Sequence, residues 1–197
     1  MFNFPLQFTF KIGTLANDFI VTDANQQTIA YIRQKMLKLK EEVVVFSDES
    51  KSKELFHINA DKWLDFNTAY TFSTANQAME LGKVVRKGWK SLWRSHYELV
   101  DTNEQQDVVI TEENPWVKFW DGLFLEIPII NLFTGYFFNP KYIVTRKDGT
   151  IVARLSKEKS FWGRRFKLDK LEEFHEGEEL RVMLGLMMMI LLERRRG

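Results

Sequence analysis

The chain has 197 residues, of which 45% are hydrophobic and 28% charged, with a formal net charge of +1. That is enough chain for one sizeable folded domain, and so small a net charge excludes a global field that would draw in nucleic acid or membrane. Cysteine is absent, which excludes disulfides and thiolate chemistry.

The N-terminal stretch MFNFPLQFTFK lacks a basic leading region, and Lys11 cuts its apolar run short. It does not read as a secretory signal, so the expected location is cytoplasmic, at most peripheral to a membrane. Aromatic residues at 14%, among them 17 Phe and 6 Trp, point to a large β-rich core. Strands are expected near Phe8 and Phe19, over Ile29–Lys35, Val43–Ser47 and Glu54–Asn59, and near Tyr70 and Leu81. Further strands are expected over Trp93–Val100 and near Val108, Tyr142, Ile151 and Phe166. They are read from period-two alternation or from apolar and β-branched runs. About twelve strands result, with Asp148-Gly149 the clearest hairpin signal.

An internal repeat orders these strands. Ser91–Leu99 reads SLWRSHYEL and Ser160–Leu168 reads SFWGRRFKL, an ungapped match. Upstream, Tyr70 begins YTFST and Tyr142 begins YIVTR, with FIVTD at Phe19 a further echo. Each is followed by a polar turn and another strand. A repeated unit that cannot bury its own apolar face implies two halves of one structure. The expected division is a single domain over 1–197, with pseudo-repeats about 1–105 and 106–179 and a helix about 178–194.

Leu180–Leu192 is apolar apart from Arg181. A helix apolar on every face lies either in lipid or inside protein. Its 13 residues are too few for a bilayer span, which takes about 20. Acidic residues precede it and Arg194, Arg195 and Arg196 follow it, complementing the helix dipole. A barrel of about eleven or more strands has room for such a helix. The expected fold is therefore mainly β with a central helix, a closed antiparallel barrel of about twelve strands wrapped around the apolar C-terminal helix.

The repeat, the SLWRSHYEL element, Asn114-Pro115-Trp116, Gly135-Tyr136 and the terminal helix ending LERRRG resemble bacterial tubby C-terminal-like proteins. That superfamily includes the plant LURP-one-related proteins and the phospholipid scramblases. The resemblance spans nearly the whole chain and implies a twelve-stranded barrel around a hydrophobic helix. Tubby proteins bind phosphoinositides and scramblases are membrane-linked, so the resemblance points towards lipid. The tubby phosphoinositide motif has no residue-by-residue match here, so no binding residue is carried over. The acylated cysteine cluster and Pro-rich arm of the scramblases are absent.

Catalytic signatures are absent too: there is no Gly-x-Ser-x-Gly elbow, P-loop or Gly-x-Gly-x-x-Gly. His57, His96 and His175 lack the spacing of a zinc site, and His57 reads as solvent-facing on its strand. Glu41-Glu42, Glu112-Glu113 and Glu172-Glu173 read as solvated turn acids. No enzyme activity, cofactor or metal is expected. Basic residues do cluster beside tryptophan. Lys83, Arg86, Lys87, Lys90 and Arg94 surround Trp89 and Trp93, and the repeat partner holds Lys157, Lys159, Arg164, Arg165 and Lys167 beside Phe161 and Trp162. Lys35–Lys40 is a third basic patch, diluted by the glutamates that follow.

Cations beside Trp suit anionic headgroups at a membrane interface. They suit RNA phosphates with base stacking as well, although nucleic acid is not expected as the partner. The candidate ligand-binding residues are Lys83, Arg86, Lys87, Trp89, Lys90, Arg94, Arg164 and Arg165. The functional expectation is a non-enzymatic peripheral module for anionic phospholipid. The alternative is a structural or protein-interaction domain with an unknown protein partner and no ligand. The aromatic segment Trp116–Phe138 reads as a helix and hairpin over the barrel mouth.

Overall fold

The computed structural model describes residues 2–11, 18–35, 42–61, 67–87, 95–113, 140–158 and 165–194. Twelve strands run in order: β1 (Leu6–Phe10), β2 (Phe19–Thr22), β3 (Thr28–Lys35), β4 (Glu42–Phe46), β5 (Glu54–Ala60) and β6 (Asn67–Thr74). They continue as β7 (Glu80–Lys87), β8 (His96–Val100), β9 (Gln106–Glu112), β10 (Lys141–Arg146), β11 (Ile151–Glu158) and β12 (Arg165–Lys170). One helix, α1 (Glu178–Arg194), follows them. Each strand pairs antiparallel with its neighbours in sequence, and β1 pairs β12 with Leu6 opposite Leu168 and Phe8 opposite Phe166, which closes the barrel. The fold read from the sequence is the fold observed.

Alternation decides which way each side chain points. Leu6, Phe8, Phe19, Ile32, Ile58, Phe72, Leu99, Ile110 and Leu155 are fully buried and face inward. The helix fills the space they enclose, with Val182 to Leu192 all buried. Gly185 lets the helix pack close against the wall, because a Cβ there would collide with the Leu99 side chain.

The two ends of the barrel are built differently. At one end lie five tight turns, following β2, β4, β6, β8 and β10. Each has an i→i+3 backbone bond and a residue of positive φ: Gln26 (62°), Lys51 (58°), Gln77 (54°), Glu104 (60°) and Gly149 (90°). Short polar side chains organise these turns by accepting backbone N–H groups. Asp23 accepts from Asn25 and Gln27, Asp101 from Asn103 and Gln105, and Asp148 from Thr150. These bonds favour the charged carboxylate and hold Asp101 and Asp148 below the usual aspartate range, the Gln105 and Thr150 N–H groups acting first.

The helix starts at this turn end. Glu178 is fully buried, and its carboxylate accepts two bonds from Arg146 and one from the His175 N–H. The bond from the His175 N–H ties the loop before the helix to the helix's first residue. Arg181 pairs with Asp107 through Nε (3.0 Å) and Nη2 (2.5 Å). At the opposite end the last turn of α1 meets the strand ends. The Tyr97 hydroxyl donates to Glu193 (2.7 Å), and the Arg194 guanidinium lies 4.3 Å above the Phe10 ring. Among the described residues, no helix is long and apolar enough to cross a membrane.

Candidate functional site

The basic, Trp-bearing hairpin is β7–β8, and its repeat partner is β11–β12. Four of the eight candidate residues, Trp89, Lys90, Arg94 and Arg164, lie outside the described residues, as do the segment Trp116–Phe138 and residues 36–40 of the third basic patch. The structure separates the other four. Lys83 sits mid-strand on the outer wall and is held by Glu104, from the next turn, at 2.5 Å. Lys87 is held by Glu98 on the adjacent strand at 3.0 Å. Burial pushes the Glu98 carboxyl up, but the hydrogen bonds and charges of Lys87 and His96 outweigh it and keep its pKa below the usual range. Arg165 opens β12 and is exposed.

Arg86 points inward. It lies opposite the fully buried Tyr97 and in phase with Val84, and its Nε is buried with no hydrogen-bond partner among the described residues. It belongs to a polar layer that sequence reasoning missed. The inward positions are apolar through the barrel and turn polar at their last members near the helix C-terminus. Gln34, Arg86, Tyr97, Glu112 and Lys157 take those places, and Tyr97 meets Glu193 of the helix. The signal was present: Glu112 continues the phase of Val108 and Ile110, and Arg86 that of Val84.

Two readings of individual residues are corrected. Glu112 is not a solvated turn acid but is fully buried, because the alternation of β9 carries it inside. His57 does point out from the wall, opposite Val44. It is 5% exposed rather than solvent-facing, because it is packed between Glu42 (3.4 Å) and Glu54 (3.1 Å). It adjoins a small outer cluster of Tyr31, Val44 and Phe46. Burial, and then the hydrogen bond and charge of Asp18, push the Tyr31 hydroxyl up to about 12. Among the described residues no group of three or more His, Asp or Glu is placed to hold a metal ion.

The strands hold one further pattern. The segments 12–17, 36–41, 62–66, 88–94, 114–139 and 159–164 all join strands whose ends lie opposite the five tight turns. All six tryptophans of the sequence fall in these segments: Trp63, Trp89, Trp93, Trp116, Trp120 and Trp162.

A closed twelve-stranded antiparallel barrel threaded by its own apolar C-terminal helix is the class of protein that the fold defines. The LURP-one-related family model matches residues 28–190, and the chain belongs to that family. No curated protein matches the chain. No solved structure matches it either.

Proposed function

We propose that the protein is a non-enzymatic peripheral module that recognises anionic phospholipid headgroups. The observation that carries this reading is the confinement of all six tryptophans to the connections of one barrel end. Tryptophan favours the headgroup level of a bilayer, where its ring has an apolar body and a polar N–H. Lys90 and Arg94 flank Trp93, and Lys159 and Arg164 flank Trp162, supplying charge for anionic headgroups. Each cation near such a surface contributes about 1 kcal/mol, so attachment is weak, reversible and sensitive to salt.

A second reading, a structural or protein-interaction domain, draws support from the helix that fills the barrel and from the carboxylates that neutralise Lys83 and Lys87 on the wall. Co-sedimentation with vesicles separates the two. Vesicles of phosphatidylserine in phosphatidylcholine should pull down the protein at low salt, and phosphatidylcholine alone should not. Lys90→Glu with Arg94→Glu should abolish the difference. Equal sedimentation with both vesicle types would reject the lipid reading and favour the interaction domain.

A further inference from the structure

Arginine is handled differently at the two ends of the barrel. At the turn end Arg146 and Arg181 each make two bonds to a carboxylate, of Glu178 and Asp107 respectively. On the outer wall Lys83, Lys87, Arg154 and Lys167 each lie within 3.0 Å of a carboxylate. Arg86 stands in the polar layer at the opposite end. Among the described residues no hydrogen bond or ion pair holds its guanidinium. Its Nε is buried, while the residue as a whole is only partly so.

A guanidinium does not discharge by losing its proton, and a charge drawn out of water without a partner costs free energy. The neighbours of Arg86 suit an incoming oxyanion. Thr68 lies opposite it on β6, in phase with the buried Tyr70 and Phe72, so the Thr68 side chain faces the same interior. Tyr97 lies opposite it on β8, with its hydroxyl committed to Glu193. Directly opposed residues have Cβ atoms about 5 Å apart, so one small group can touch both Arg86 and Thr68. The charges of the layer also permit an anion. Among the described residues three cations, Arg86, Lys157 and Arg194, stand against two carboxylates, Glu112 and Glu193, which leaves one positive charge in excess. The helix C-terminus contributes roughly half a negative charge, too little to cancel it.

We infer that Arg86, with Thr68 beside it, forms a binding site for a phosphate group inside this end of the barrel. The planar fork of an arginine offers parallel N–H donors that match two phosphate oxygens. A threonine hydroxyl donates to a third. The inference deepens the lipid reading above, on which it rests for the source of the phosphate, by naming where a headgroup phosphate is held. A soluble phosphate would meet the same groups. The outer face of the β7–β8 hairpin is a poorer place for it, because Lys83 and Lys87 already face glutamates there.

The test is thermal melting of the full chain in inorganic phosphate against sodium chloride of equal ionic strength. Three proteins are compared: the parent, Arg86→Met, and Arg33→Gln, which removes an exposed cation of the wall. Phosphate should raise the melting temperature of the parent and of Arg33→Gln, and Arg86→Met should lose that rise. An equal rise in all three would be the general salting effect of phosphate and would overturn the site. In chloride alone Arg86→Met should melt no lower than the parent, because an apolar side chain replaces an unpaired charge. A variant that melts several degrees lower, or does not fold, would make Arg86 a structural residue and would overturn the site too. Co-sedimentation with vesicles of phosphatidylserine in phosphatidylcholine at low salt then assigns the source. If Arg86→Met partitions about tenfold less than the parent, the phosphate is that of a headgroup. If phosphate acts through Arg86 while the vesicles pull down no parent protein, the site stands for a soluble phosphate and the lipid reading falls. If the vesicles bind parent and Arg86→Met alike and phosphate raises both alike, the site falls and the lipid reading stands.

Discussion

Arg146 grips the carboxylate of Glu178 at both oxygens, Nε to Oε1 at 2.9 Å and Nη2 to Oε2 at 2.5 Å, while the same Nη2 reaches the Glu173 carbonyl at 2.7 Å. Glu178 is fully buried. Burial alone would push its pKa up, but the Arg146 bonds, the His175 N–H and the nearby charges outweigh it and hold the pKa below the usual glutamate range. A carboxyl depressed in the folded state gives stability that is present above its unfolded pKa and is lost as pH falls through the folded one. The parent should therefore lose stability on acidification below about pH 4. Removing one partner of a buried pair costs about 3–5 kcal/mol. Arg146→Met should show that loss at neutral pH, and urea melts across pH would read both effects. A variant as stable as the parent would show the pair to be idle.

Met187 lies mid-helix and is fully buried. A lysine there would place an unpaired ammonium among apolar side chains on every side, at a cost of several kcal/mol. Met187→Lys should fail to give a cooperative thermal transition, whereas Met187→Leu, which conserves volume, should lose less than about 1.5 kcal/mol. A cooperatively melting Met187→Lys protein would mean that the helix does not fill the barrel.

The contact between Gly185 and Leu99 gives a coupled test. A Cβ at Gly185 would overlap the fully buried Leu99 side chain, so Gly185→Ala should cost about 1–3 kcal/mol through overpacking. Leu99→Ala leaves a cavity and should cost about 2–5 kcal/mol. In the double variant the new methyl enters the vacated space, so the combined loss should be smaller than the sum. Additive losses in a double-mutant cycle would place the two residues out of contact.

Tyr97→Phe removes the hydroxyl that donates to Glu193. A hydrogen bond to a charged group contributes about 1.5–3 kcal/mol. Amide exchange should quicken in the last turn of the helix more than in its first, which Arg146 and Arg181 still hold. Uniform loss of protection along the helix would deny Tyr97 a local role.

The sequence carried the architecture because its signals were local and redundant. Alternation marked the strands, Asp148-Gly149 marked a turn, and an all-round apolar run could only be a core helix. The candidate site was legible as a list of residues and not as an arrangement. Lys83 meets Glu104, 21 positions away, because β8 and the turn after it fold back beside β7, which composition does not report. Glu112 was misread for a different reason. Charge was taken as a sign of exposure, when the alternation phase of Ile110 already directed its side chain inward, as that of Val84 directs Arg86. The burial of His57 depends on Glu42 of the neighbouring strand, a tertiary contact with no trace in the ELFHIN pattern.

The seam between β1 and β12 joins Leu6 to Leu168, and the helix that must lie inside follows both strands in the chain. A ribosome therefore delivers every stave of the barrel before its axle. While α1 is still in the exit tunnel, the inward faces of the emerged strands have nothing to close upon. The inward faces of the strands are covered only once residues 178–194 emerge. Until that moment the nascent chain presents open strand edges and apolar faces, the features that chaperones hold and that drive misassembly. Once shut, the ring has no free edge left for a foreign strand to join.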